Sequence, residues 1–382
     1  MRNWLLPENI EDILPPQAQL IERMRVKLLE LFRVHGYELV MPPMLEYLES
    51  LLTGTGHDLD LRTFKLVDQL SGRMMGVRAD ITPQVARIDA HLLNRKGVTR
   101  LCYAGSVLHT RQRGLDATRE PLQIGAEIYG HAGIESDLEI QQLLARALAE
   151  CGVAGARLDI GHVGVFRGIC RHARLGPELE SEIYEGLATK DLAALRAAAK
   201  RLPSTTRKAL LSLPELYGDT AVLDRAWRIL PGYPEIRSAL QDLRILSRNG
   251  DLPVSVDLAD LRGYHYHSGV AFAVYAPAIS SAVALGGRYD EVGKAFGRAR
   301  PATGFSMDLR GVARAVPEAA GAGRIRAPYS GNPGLAAMVR KLRAAGEIVV
   351  VDLPGHAAVR GELVCNREIV KRRGRWVVRR VD

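Results

Sequence analysis

The sequence has no long apolar run and few cysteines, and both absences narrow the class of protein. Its 382 residues are 47% hydrophobic and 25% charged, which is typical of a globular protein. No apolar stretch approaches the roughly 18 residues that a membrane span needs. The cysteines form no CxxC pair and stand far apart, at positions 102, 151, 170 and 365. We therefore predict reduced, mostly buried thiols, with no disulfide framework and no metal site.

The N-terminal stretch also lacks the features of a secretion signal. MRNWLLPENIEDILPP has no basic start followed by a long apolar core and a small-residue cleavage site. We therefore expect a cytoplasmic protein. Without an apolar segment of spanning length, the sequence also predicts no membrane partner.

Positive charge exceeds negative charge, and the excess is uneven. The formal net charge is +9, and residues 360–382 contain eight Lys or Arg against three acidic residues. Their alternation predicts a β-hairpin around Arg373 and Gly374. Because only Trp376 could stack on a base, the basic end is interpreted as a solvated face. Binding of an acidic partner or nucleic acid stays open as the alternative.

The length exceeds a typical domain of about 100 to 200 residues, which indicates two or three domains. Hydrophobic periodicity and turn residues predict helices and strands whose many hairpins favour an antiparallel sheet. The predicted helices are 17–35, 83–93 and 136–151, and the predicted strands are 37–45, 63–68, 73–78, 98–108, 122–129 and 254–258.

The rest of the chain predicts two further parts. Residues 175–250 are almost wholly helical in pattern, which indicates a helical insertion between core segments 1–174 and 251–320. A Gly- and Pro-rich linker follows at 317–334. Beyond it, one helix (335–345), one strand (347–353) and the basic hairpin form a small C-terminal unit, residues 326–382.

Eight sequence blocks occur in the order and spacing of histidyl-tRNA synthetases. They are DILPP (12–16), GYELVMPPMLE (36–46), FKLVD (64–68), VRADITPQVARI (77–88), QIGAEIYG (123–130), RGYHYHSG (262–269), GGRYD (286–290) and ATGFSMDL (302–309). The resemblance covers nearly all of residues 1–316. It implies an α+β, class II aminoacyl-tRNA synthetase-like fold, an antiparallel sheet flanked by helices. It also implies a homodimer formed through residues 17–46.

The residues that handle ATP in that family are replaced here. The family's hairpin motif, Tyr-x-Gly-x-x-Phe-Arg-x-Glu, places its Arg on His109 and its Glu on Arg111. In the third motif the ATP-clamping Arg falls on Gly311, and Asp308 puts a carboxylate where the triphosphate would lie. Adenylate formation needs a fixed guanidinium on the α-phosphate, and a neutral imidazole cannot supply it. We therefore expect no catalytic residues and no synthetase activity.

The amino-acid side of the family's pocket is largely kept. The resemblance to histidyl-tRNA synthetases implies that eight residues bind histidine. They are Asp80, Thr82, Gln123, Glu127, Arg262, Tyr266, His267 and Tyr289. The alternative is that these residues are relics or fold-stabilising ion pairs. His267 replaces a Tyr of the family motif, and His265 replaces an Asp. The sequence places both on a strand, two residues apart and on one side, but no carboxylate or thiol at ligand spacing indicates a metal. No cofactor is predicted.

The C-terminal unit is about half as long as the anticodon-binding domain of those synthetases. A synthetase-like core without ATP residues and without that domain resembles the regulatory subunit of ATP phosphoribosyltransferase. The resemblance implies a short catalytic subunit as partner, a homodimer within a hetero-oligomer, histidine as feedback ligand and no tRNA. No phosphoribosyl-diphosphate loop is present in the sequence, so chemistry must come from the partner. The alternatives are a histidyl-tRNA synthetase with residual activity and a synthetase-like RNA-binding or sensor module.

Overall fold

The computed structural model describes residues 4–53, 57–112, 114, 117–264, 266–277, 279–316, 323–354 and 365–381. The chain forms two compact units, Met1–Pro317 and Glu318–Asp382. Each is described by itself below. No described helix combines the length and hydropathy that crossing a lipid bilayer requires.

The first unit is built on a nine-stranded sheet in the order β1-β5-β6-β12-β11-β10-β7-β9-β8. The six strands from β5 to β7 in this order pair antiparallel, whereas β1 with β5 and β7 with β9 pair parallel. The strands are β1 Glu38–Leu39, β5 Thr99–Ser106, β6 Leu122–Tyr129, β7 Arg157–His162, β8 Tyr217–Gly218, β9 Val254–Asp257, β10 Val270–Tyr275, β11 Ala284–Arg288 and β12 Ala302–Asp308. A smaller antiparallel sheet, β2-β4-β3, contains β2 Leu45–Tyr47, β3 Phe64–Val67 and β4 Met74–Val77.

Helices cover the sheet, and the predicted α+β fold is confirmed. They are α1 Pro15–Val34, α2 Leu48–Leu51, α3 His57–Arg62, α4 Thr82–Arg87, α5 Ile134–Glu150, α6 Val163–Ala173, α7 Pro177–Ala188, α8 Leu192–Ala199, α9 Ser204–Ser212, α10 Val222–Ile229, α11 Pro234–Asn249 and α12 Leu309–Ala315, with 3-10 turns at Leu213–Glu215 and Val292–Phe296. Helix α1 buries one stripe at helical spacing, Ile21, Met24, Leu28 and Phe32. Phe32 meets the edge of Phe305 on β12 at a ring distance of 5.9 Å, which fixes the helix to the sheet.

The helices of residues 175–250 share one hydrophobic core with the sheet. Ile183, Leu195 and Leu210 from these helices are fully buried in the same cluster as Ile160 and Phe166. Strand β8 from this segment also pairs with β9 at the sheet edge. The insertion therefore lacks a separate core among the described residues, and its division from the core segments stays a prediction.

Two predicted elements of the first unit are wrong in detail. The strand predicted at 37–45 is two short strands, because Pro42 and Pro43 lack the N–H groups of a strand ladder. The helix predicted at 83–93 is α4 followed by a π-helix, Ile88–Leu93, which ends at a left-handed Asn94.

The second unit is a four-stranded sheet, β14-β13-β15-β16, with one helix, α13. Its elements are β13 Arg324–Ala327, α13 Pro333–Ala344, β14 Ile348–Val351, β15 Cys365–Arg372 and β16 Arg375–Arg380. The predicted hairpin around Arg373 and Gly374 is confirmed. The linker predicted at 317–334 is wrong at β13, an inner strand of the sheet. Ile325 and Ala327 are buried there, but a four-residue strand next to Gly and Pro shows too little alternation to be recognised.

Candidate functional site

The candidate site surrounds Glu127, near the end of β6 in the middle of the main sheet. The side chain is 1% exposed and faces a cavity of about 140 Å³. Gly304 on β12 lies opposite Glu127 in register. A Cβ atom at this glycine would lie 1.5 Å from Glu127 Oε2, so the carboxyl group fits only because residue 304 has no side chain.

Three hydroxyl groups donate hydrogen bonds to the Glu127 carboxyl group. Tyr289 bonds Oε2, Tyr103 bonds Oε1 at 3.0 Å, and Thr82 Oγ1 lies 3.4 Å from Oε1. Burial raises the pKa of Glu127 to about 8, although the hydroxyl donors lower it. The site therefore presents a mostly neutral carboxyl group at pH 7, able to donate or accept a hydrogen bond.

Asp80 is held at the boundary of two cavities. Gln123 Nε2 donates to Asp80 Oδ1 at 2.8 Å, and the same oxygen accepts the Thr82 N–H at 3.0 Å. Gln123 Oε1 in turn accepts the Ile81 N–H at 2.9 Å. Asp80 lines the Glu127 cavity and also a neighbouring one. These bonds fix a carboxylate in a position suited to an ammonium group.

Aromatic rings form one wall of the cavity. The rings of Tyr266 and Tyr289 are 5.2 Å apart, and Tyr289 meets the edge of Tyr129 at 6.4 Å. The Tyr266 hydroxyl is buried without a hydrogen-bond partner among the described residues. Since buried polar groups are nearly always paired, this hydroxyl is suited to a polar group of a ligand.

His267 lies at the same cavity, in the irregular segment between a turn and β10 and not in the predicted strand. The strand assignment of this residue is wrong because the chain turns at residues 262–264 and 266 before β10 begins at Val270. His267 Nδ1 donates to the Arg288 carbonyl at 3.2 Å, and burial lowers the pKa of the imidazole to about 4. The ring is therefore neutral. His265 lies outside the described residues.

Arg262 lines a different cavity from the other predicted ligands. Its guanidinium pairs with Asp260, with Nε at 3.1 Å from Oδ1, and lies 5.7 Å from the Tyr275 ring. The cavity that Arg262 lines has a volume of about 530 Å³ and is also lined by Lys190 and Asp257. Leu285 lines both this cavity and the Glu127 cavity. The structure thus brings together six of the eight predicted residues, Asp80, Thr82, Glu127, Tyr266, His267 and Tyr289. Gln123 orients Asp80 from the side, and Arg262 lies apart.

Two residues at the replaced ATP positions, His109 and Asp308, form hydrogen bonds within the protein. Buried His109 donates from Nε2 to the Ala79 carbonyl at 2.9 Å, and burial lowers its pKa. Asp308 Oδ1 accepts the N–H of Arg310, at the start of α12, at 3.0 Å, and that of Leu122 at 3.1 Å. Burial raises the pKa of Asp308, while these N–H groups lower it.

The neighbouring cavity, which shares Asp80 with the Glu127 cavity, has a volume of about 210 Å³ and is lined by both His109 and Asp308. Its described lining includes Asp80, His109, Gln123 and Asp308 but no arginine or lysine. Arg111 is exposed and does not line it, and Gly311 is part of α12. Among the lining residues that the structure describes, a triphosphate would therefore meet the carboxyl group of Asp308 and no cation, which disfavours ATP binding.

The sequence analysis missed two tyrosines that complete the site. Tyr103 bonds Glu127 directly, and Tyr129 packs on Tyr289. Strand alternation could have identified Tyr129, since residues two apart on a strand share a face. Tyr103 lies on the neighbouring strand, and only the register of β5 with β6 places it beside Glu127.

Comparisons with known proteins agree with this geometry. A family model described as Histidyl-tRNA synthetase matches residues 9–312, and one described as ATP phosphoribosyltransferase subunit HisZ C-terminal domain matches residues 322–379. The fold resembles a histidyl-tRNA synthetase from Nostoc sp. PCC 7120, with a TM-score of 0.77, 16% identity and coverage of 97% of this chain and 92% of that chain. Fold and site therefore define a class II aminoacyl-tRNA synthetase-like protein.

Closer similarities identify the family within that class. Proteins named ATP phosphoribosyltransferase regulatory subunit are 60% identical over 380 residues in Ralstonia nicotianae and over 378 residues in Ralstonia pickettii, covering 99% of this chain and 98% of each relative. A structure titled ATP phosphoribosyltransferase regulatory subunit/histidyl-tRNA synthetase, from Bacillus halodurans C, has a TM-score of 0.83 at 27% identity, covering 94% of this chain and 95% of that chain. The chain belongs to the ATP phosphoribosyltransferase regulatory subunit family.

Proposed function

We propose that this chain is the non-catalytic regulatory subunit of ATP phosphoribosyltransferase in histidine biosynthesis. It would activate a short catalytic subunit and make that subunit sensitive to histidine. The observation that supports this function best is the contrast between the two sides of the site. Six predicted ligands, Glu127 among them, line one cavity, whereas His109 and Asp308 are engaged in bonds to the backbone.

Histidine is the proposed ligand of the Glu127 cavity. The carboxyl group of Glu127 would bond an imidazole nitrogen, and Asp80 would take the α-ammonium group. The tyrosine wall would pack against the ring. If Arg262 binds the ligand carboxylate, its guanidinium would exchange Asp260 for the ligand, and a group that also lines the cavity beside α7 would move. Such a rearrangement offers a way to link the ligand to the rest of the unit.

The proposed assembly is a homodimer within a hetero-oligomer. Residues around the predicted dimer segment expose large apolar side chains, which are Val26, Val34, Leu39, Met41 and Met44. Apolar side chains this exposed and this close in sequence favour burial by a second copy. Sedimentation of the isolated chain tests this part: a monomer at micromolar concentration would contradict it.

The function is tested by steady-state turnover of a mixture with the short catalytic subunit. Formation of phosphoribosyl-ATP from ATP and phosphoribosyl diphosphate should rise as this chain is added, and added histidine should then lower it. The chain alone should show no turnover. Absence of activation at saturating concentration would reject the regulatory function.

A further inference from the structure

The second unit concentrates the positive charge of the chain. Residues 318–382 contain 13 Lys and Arg against 6 Asp and Glu, a net +7, while the 317 residues before them contribute only +2 to the total of +9. The regulatory function assigns no role to this charge. Its densest run is KRRGR, residues 371–375, where β15 turns into β16.

The turn uses an arginine where its backbone favours another residue. Arg373 and Gly374 both have positive φ, 47° and 81°, and together form the two-residue turn of an antiparallel ribbon in which Arg372 pairs with Arg375. Turns of this kind strongly favour Asn-Gly or Asp-Gly. Arg373 therefore keeps a cation at the tip against the local conformational preference, which indicates a use for the charge.

The charges at the tip also repel one another. Arg372 and Arg375 are directly opposed across the ribbon, an arrangement of like charges that destabilises a strand pair. Within the described residues, Lys371, Arg372, Arg373 and Arg375 have no carboxylate at ion-pair distance. By contrast, three other arginines of the unit pair with acidic residues, as Arg326–Asp352, Arg367–Glu347 and Arg379–Glu368. A bound anion would relieve this repulsion.

We propose that the ribbon tip, residues 371–375, binds the phosphate backbone of a nucleic acid duplex. All five residues of the tip are exposed and none is apolar, whereas a protein partner would need an apolar centre. Arginine pairs with phosphate through two parallel N–H groups, and a two-stranded ribbon fits the major groove of B-form DNA. With no aromatic side chain at the tip, binding should be independent of base sequence.

The test is anisotropy of a labelled DNA duplex of about 20 base pairs, titrated with the full chain at several salt concentrations. If the four cations each meet a phosphate, log K should fall against log salt with a slope of about −3 to −4, roughly a 100-fold loss between 50 and 200 mM. The double variant R372Q/R375Q should lower the steepness of this slope by roughly 2. An RNA duplex, whose major groove is deep and narrow, should bind more weakly than DNA; equal binding would assign the site to backbone contacts outside the groove and overturn the major-groove placement.

Two single variants separate binding from folding. R373N removes one charge but places a turn-favouring residue, so it should raise Tm while weakening DNA binding several-fold. R340Q removes the same charge from α13 and should leave the slope unchanged. The proposal is overturned if R340Q weakens binding as much as R373N, if the ribbon variants leave the slope unaltered, or if the chain binds phosphatidylserine vesicles or polyglutamate but not the duplex.

Discussion

At the scale of single residues, Glu127 governs the properties of the site. Its carboxyl group is enclosed, accepts hydroxyl hydrogen bonds from Tyr289 and Tyr103, and has a pKa raised to about 8 by burial. In the unfolded chain the same group ionises at an ordinary pKa near 4.5. Between about pH 4.5 and pH 8 the folded state therefore holds a proton on Glu127 that the unfolded state releases.

The first prediction is a pH dependence of stability that Glu127→Gln removes. Because the folded-state pKa is raised, the stabilisation is complete below about pH 4.5 and is lost as pH rises through about 8. The wild-type protein should therefore lose stability relative to Glu127→Gln between pH 5.5 and 9. Calorimetric Tm values of both proteins across this range check it, since other titrating groups cancel in the difference. A difference that stays constant with pH would contradict the raised pKa.

The second prediction concerns the affinity for histidine. Glu127→Ala should weaken binding by roughly 1 to 3 kcal/mol, because it leaves a buried group of the ligand unpaired. Titration calorimetry with free histidine measures this loss. Glu22→Ala, which removes an exposed carboxylate on α1, serves as the control and should bind as the wild type does. Unchanged affinity in Glu127→Ala would place the histidine site elsewhere.

The third prediction is that the isolated chain forms no histidyl-adenylate. His109 and Gly311 replace the guanidinium groups of the related synthetases, and losing one such donor typically costs about 3 to 4 kcal/mol of transition-state stabilisation. Histidine-dependent exchange of pyrophosphate into ATP should equal a blank without protein. Exchange well above that blank would restore the synthetase alternative.

At the scale of elements, the junction of β12 and α12 is secured by Asp308. This residue caps the helix through the Arg310 N–H and also joins the start of β6 through the Leu122 N–H. Asp191 caps α8 in a similar way but is exposed. The two caps therefore differ mainly in burial and in the additional strand contact.

The fourth prediction compares these caps. Asp308→Ala should destabilise the fold by about 1 to 3 kcal/mol, because it leaves two partly buried N–H groups unsatisfied. Asp191→Ala should cost only about 1 kcal/mol, since water can replace an exposed cap. Urea unfolding of both variants measures the difference. Equal losses would mean that Asp308 acts as an ordinary surface cap.

Elements with clear local patterns could be predicted from sequence, and those fixed by distant contacts could not. The strand 122–129 was predicted at its observed bounds because most of its residues are apolar and Gly130 follows as a stop. Strand β13 was missed because its burial depends on β14 and β15 on either side. The same holds at the site: family motifs identified Asp80 and Glu127, but not Tyr103, which lies beside Glu127 only because of the register of β5 with β6.

At the scale of the whole molecule, one hydrophobic core joins the sheet to the helices of residues 175–250. The cavity that contains Arg262 lies at this junction, lined by Tyr184 and Lys190 on one side and by Tyr275 on the other. A change at Arg262 can therefore reach these helices through packed side chains.

The fifth prediction separates ligand binding from assembly. In the mixture with the catalytic subunit, Glu127→Ala and Arg262→Ala should still activate turnover but should shift inhibition to higher histidine concentration. Histidine titrations of steady-state turnover measure both effects. If inhibition is unaltered in both variants, the regulatory function stands and only its placement in this cavity is rejected.

The bonds of His109 and Asp308 bear on the evolutionary history of the chain. Replacing His109 by the arginine of the related synthetases would bury a guanidinium beside the Ala79 carbonyl, and removing the Asp308 carboxylate would uncap α12. Each reversion alone would lower stability without returning a complete nucleotide site. A stepwise return to adenylation through either of these two positions would therefore pass through a less stable protein that still lacks a nucleotide site.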